Sequence, residues 1–150
     1  SGAPALAVEE VNVHDGYAVH GYDVVAYFTD GEPTPGDDAY TAEYRGATYR
    51  FASAEHRDMF AADPAKYAPE YGGYCAYGAA QGVKADGDPE QWTIVDGTLY
   101  LNLSEGVKER WEQNIPGYVR GADHNWEIIE SIPQAELVKS TPEGVTVGAQ

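Results

Sequence analysis

Few residues in this chain can do chemistry beyond hydrogen bonding. Cys75 is the single thiol, set in "YGGYCAYG" (Tyr71 to Gly78) between Tyr74 and Tyr77. His20 and Asp23 fall together in "HGYD". A thiolate, an imidazole and a carboxylate make a soft-to-borderline donor set of the kind that holds copper or zinc. Cys75, His20 and Asp23 are therefore the expected ligands, with His56 a weaker candidate. Tyr22, Tyr74 and Tyr77 can support them with phenolic hydrogen bonds. Gly72 and Gly73 would let backbone approach Cys75 closely.

The same residues admit other readings. A Cys75–His20 pair oriented by Asp23 is the minimum of a thiol enzyme. No G-x-S-x-G elbow, H-E-x-x-H, phosphate loop or dinucleotide fingerprint accompanies it, so no catalytic residue is assigned. Cys75 also fits a small buried hydrophobe. Asp23 fits the N-cap of a helix over "VVAYF". His20 fits a core histidine bonded to backbone, and His56, one turn before Phe60, a structural residue on a helix face. On that view the tyrosines line a pocket, and the protein is a binding module for a small organic ligand or a partner protein.

Composition narrows the partners. The 150 residues carry 25 acidic and 9 basic side chains, a formal charge of −16. Such a surface repels nucleic acid and anionic membranes. No apolar run reaches the length of a membrane span. One cysteine cannot form an internal disulfide or a cysteine-only zinc site. The small-residue start "SGAPALAVEE" fits an exported chain whose signal has been removed, so a periplasmic or secreted setting is expected.

These residues need elements to hold them. Residues 1–10 read as a flexible lead-in, 11–132 as one domain and 133–150 as an extended tail. "YTAEYRGATYRFAS" alternates Tyr40, Ala42 and Tyr44 with polar residues and returns through Ala47, Tyr49 and Phe51, which predicts a hairpin turning at Arg45-Gly46. "WTIVDGTLYLNLS" predicts a second hairpin at Asp96-Gly97. Ser53 and Ser104 are expected to cap the helices that follow. "CAYGAAQ" admits a short helix. Val107, Trp111 and Ile115 form an apolar stripe that ends at Pro116-Gly117, with a further helix over Tyr118 to Ser131. The result is an α+β fold, a small antiparallel sheet built from hairpins and covered by several short helices.

Three segments, "HGYDVVAYF", the run from "YRFAS" through "RDMFAADPAKYAPEYGGYCAYG", and "WTIVDGTLYLN", resemble the YHS-domain family, and in particular its standalone exported bacterial branch. The likeness spans about Val11 to Trp126 and is densest over Ala47 to Ala76. It implies a metal-binding module related to treble-clef domains. Many members carry "DPVCGM" and "FCSxxC" motifs whose cysteines would hold the metal. Those positions fall here on Ala26, Ala52 and His56. The resemblance therefore implies that any metal sits on other residues, with His56 keeping one position.

Overall fold

The computed structural model describes residues 9–149. Most of the expected lead-in lies outside that range. The fold is α+β, as the sequence indicates. Its strands form three separate two-stranded antiparallel hairpins rather than one sheet: β1 (Val13–His14) with β2 (Tyr17–Ala18), β3 (Asp37–Tyr44) with β4 (Ala47–Phe51), and β5 (Asp88–Val95) with β6 (Thr98–Asn102). Each turns on a non-glycine residue followed by glycine, both at positive φ: Asp15-Gly16, Arg45-Gly46 and Asp96-Gly97. Two successive left-handed residues make the tight turn whose twist suits paired strands. Asp, Asn and Gly tolerate this geometry best, so Arg45 is the strained member.

Helices fill the gaps between hairpins: α1 (Ala26–Thr29), α2 (Ala54–Ala62), α3 (Pro64–Tyr67), α4 (Ala76–Ala80), α5 (Glu105–Glu112), α6 (Ile115–Ile129) and α7 (Gln134–Lys139). The serine caps form as expected. Ser53 accepts from the His56 amide at 3.1 Å, and Ser104 from the Val107 amide at 3.2 Å. Pro116 does not break the chain between helices. It occupies the first turn of α6, where a missing N–H costs nothing, behind an Asn114 cap that accepts from Gly117. Beyond Pro133, where the sequence shows no periodicity, α7 forms and buries Leu137. The segment after it docks through Asn125, which bonds both the N–H and the C=O of Thr146.

A two-stranded hairpin is marginal alone in water. Here each buries one face. Ala47, Tyr49 and Phe51 of β4 join Val24, Val25, Tyr27, Phe60, Leu99 and Leu101 in one core cluster. A second cluster gathers Tyr71, Tyr100 and Trp111 against Ala76, Ala79, Ala80 and Ala122. The alanines let α4 and α6 approach closely. Tyr71 anchors residues 70–75 in the second cluster, and the site described next rests on that segment.

Candidate metal centre

The arm from Glu10 to His14 crosses the glycine-rich stretch. The Asn12 amide donates to the Gly72 carbonyl at 2.9 Å. Gly72 has φ +62°, and a Cβ there would collide with the Glu10 carbonyl oxygen, so only glycine admits the arm. On the other side, the Cys75 amide donates to the Ala85 carbonyl at 2.8 Å. Gly87 packs so tightly on the Gly73 carbonyl that a Cβ would not fit. These contacts place Asp86, between Ala85 and Gly87, opposite Asn12. The third arm is the turn Val19–Gly21, where Val19 and His20 are both left-handed at φ 53° and 51°. A β-branched residue in that region is strained. The strain aims His20 at Asp86.

The three arms converge. His20 Nε2 lies 2.8 and 2.9 Å from the two Asp86 oxygens. His14 Nε2 lies 3.2 Å from Asp86 Oδ1 and 3.0 Å from Asn12 Oδ1. The two imidazoles stack, with centroids 4.2 Å apart and planes 13° from parallel. Asn12 Nδ2 donates to Asp86 Oδ1 at 2.7 Å. Among the described residues, His14, His20 and Asp86 are the one group of three His, Cys or carboxylate side chains whose donor atoms all lie within 4.8 Å of one another. Their side chains are 41 %, 30 % and 37 % exposed, so an ion can reach them from solvent.

Both Nε2 atoms face oxygen acceptors, which assigns their protons to Nε2. Burial pushes the Asp86 carboxyl upward. Hydrogen bonds from His20 and Asn12, and the charges of His20 and His14, outweigh it and hold the group below the ordinary aspartate value.

The expected set of His20, Asp23 and Cys75 is not assembled. Of the three, only His20 belongs to the cluster. Asp23 is fully buried. Its Oδ1 accepts from the amides of Val25 and Ala26 at 2.9 and 3.1 Å, and its Oδ2 from the Ala52 amide at 2.9 Å and from His56 Nδ1 at 2.6 Å. A carboxylate has about four lone-pair sites, and all are filled. His56, the weaker candidate, is thereby tied to Asp23, with its Nε2 3.4 Å from Thr29 Oγ1.

Cys75 caps α4. Its sulfur accepts from the Gly78 amide at 3.4 Å and donates to Asn102 Oδ1 at 3.5 Å. The thiol is 1 % exposed, and burial raises its pKa, which disfavours the thiolate that ligation or nucleophilic attack requires.

The three tyrosines also find other work. Tyr22 donates to Glu90 at 3.3 Å, Tyr74 to the Glu9 carbonyl at 2.9 Å, and Tyr77 packs on Tyr118. His14 and Asp86 were missed in the sequence. The one available signal was the echo of "HDGY" in "HGYD", which marks His14 and His20 as a spaced pair.

Behind the Asp86 loop lies Lys84, 2 % exposed. Its ammonium donates to the carbonyls of Glu9, Glu130 and Ile132 at 3.2, 2.8 and 2.7 Å. Burial lowers its pKa, and the charges of Glu9, Glu10 and Glu130 oppose that shift. Lys84 thus ties the loop to the N-terminal arm and to the end of α6.

Residues 25–71 match the family model of the YHS domain. The chain is thus similar to the YHS domain over that segment, from the start of α1 to Tyr71. The family is one of metal-binding modules, which gives the chain a metal-related role at that coarse level. Comparison with curated proteins and with solved structures found no match. The matched segment contains Asp23's partners Ala52 and His56, while His14, His20 and Asp86 lie outside it. Within the matched segment, Ala26 and Ala52 have no side-chain donor atom with which to hold an ion.

Proposed function

We propose that this protein binds one divalent transition metal through His14, His20 and Asp86, and that it handles or senses the metal rather than catalysing turnover with it. The convergence of two imidazoles and a carboxylate within 4.8 Å carries this reading. Two nitrogens and one oxygen suit Cu(II) and Zn(II), and the general affinity order puts Cu(II) first. Without a thiolate among the donors, Cu(I) is not favoured. Three ligands leave coordination positions for water or for a donor from outside, and the exposed rings allow exchange. Asn12 supports the reading, because it holds Asp86 and His14 in place through its amide.

A ring that binds metal through Nε2 keeps its one proton on Nδ1, and only a doubly protonated ring must give a proton up, so acid competes with the metal and affinity should fall at low pH. Calorimetric titration of tag-free protein with Cu(II) and Zn(II) tests the proposal. One equivalent should bind, and the His14→Ala/His20→Ala double variant should lose at least about 100-fold in affinity. Unchanged affinity in the double variant would overturn the assignment.

A further inference from the structure

A cavity of about 320 Å³ is lined in part by the 70–72 segment and by none of His14, His20 and Asp86. That volume lies at the lower end of small-molecule sites. Tyr44, Tyr71 and Trp126 contribute aromatic wall, and Glu10, Glu70 and Glu130 contribute carboxylates. Tyr71 and Gly72 also line it, in left-handed conformations, φ 57° and 62°. A tyrosine held there stores backbone strain, which persists only where the surroundings impose it.

The charges are not balanced. Glu130 is matched by Arg45, whose Nη2 lies 3.0 Å away. The Lys84 ammonium is committed to three carbonyls. Glu70 forms no side-chain hydrogen bond or ion pair among the described residues, and Glu10 meets the Lys84 ammonium through its charge alone. The Glu70 carboxyl is pushed upward by burial and then by the charge of Asp123, so a cation beside it would be favoured. The protein already sets a cation against one of these rings, with Lys84 Nζ 5.4 Å from the Trp126 centroid.

We propose that this cavity binds a small organic cation, an amine or quaternary ammonium group seated against the aromatic wall and facing Glu10 and Glu70. The rings attract positive charge through their π faces, and the Glu10 and Glu70 carboxylates select it over a neutral molecule of the same shape.

Amide and indole NMR spectra of the full chain, titrated with choline and separately with its neutral isostere 3,3-dimethylbutan-1-ol, test this. Choline should shift the Gly72 amide and the Trp126 indole saturably, and the alcohol should bind at least about tenfold more weakly. The Glu10→Gln/Glu70→Gln variant should weaken choline by a similar factor while its remaining spectrum stays folded. Equal binding of the alcohol, no saturable shift at the cavity, or choline shifts centred on His14 and His20 would each overturn the proposal.

Discussion

The molecule contains two histidine–aspartate constellations, and they do opposite things. Asp23 and His56 sit at the junction of α1, β4 and α2. Every acceptor site of Asp23 is taken, three by backbone amides and one by His56. Asp86 meets His14, His20 and Asn12 at the surface, where no backbone amide competes for it. The first constellation is a cross-brace. The second is a set of side chains bonded mainly to one another, which an ion can reorganise without undoing the fold. Identical residue types are structural where the backbone saturates the carboxylate, and available for ligands where it does not.

The largest expected effect breaks the cross-brace. Asp23→Ala leaves three buried amides and His56 without their acceptor, and should lower unfolding free energy by about 3–5 kcal/mol in urea denaturation. Asp86→Ala should cost less, about 1–2 kcal/mol, since its histidine pairs are partly exposed and only the buried Asn12 amide loses an acceptor. Comparable losses in the two variants would erase the distinction.

Metal affinity sharpens the contrast from the other direction. Asn12→Ala should weaken binding by about tenfold, because Asp86 and His14 lose the amide that positions them. His56→Gln should leave affinity unchanged within about twofold, measured in the same calorimeter. A strong effect of His56→Gln would move the site to the brace.

Cys75→Ser tests the thiol's part. A shorter, more polar side chain at the α4 cap should cost about 1 kcal/mol of stability and leave metal stoichiometry intact. Loss of the metal would restore Cys75 as a ligand.

The smallest effect is a titration. Asp86 lies below the ordinary aspartate value, so its contribution to stability is present above about pH 4 and is lost as pH falls through its folded value. In His20→Ala the largest downward influence disappears and burial remains. Carboxyl NMR should then show the Asp86 midpoint moving up. A midpoint that stays in place would deny the His20–Asp86 bond.

The hairpins and their turns were legible because a strand's alternation and a two-residue turn are local properties. Tyr40 to Phe51 declares both in twelve residues. The serine caps were legible for the same reason, as was the short helix after Cys75. Pro116 was misread as a break because a proline that stops one helix and a proline that starts the next look alike until the Asn114 cap is seen. Helix α7 was invisible because its stability comes from docking Leu137, not from its own periodicity.

The sequence alone determined the α+β class and the likeness to the YHS domain, and with a single cysteine it ruled out a site built from several thiolates. It also singled out the glycines around Cys75. Only the tertiary structure decided what those glycines do. Asp86 is separated from His20 by 66 positions, and no local pattern encodes their meeting. Gly72 admits the arm that carries Asn12, Gly87 packs on the Gly73 carbonyl beside Asp86, and Cys75 contributes its backbone amide to Ala85 while its sulfur stays buried. A ligand set depends on which side chains remain unsatisfied after the backbone has made its hydrogen bonds, and that is settled only when the chain has folded.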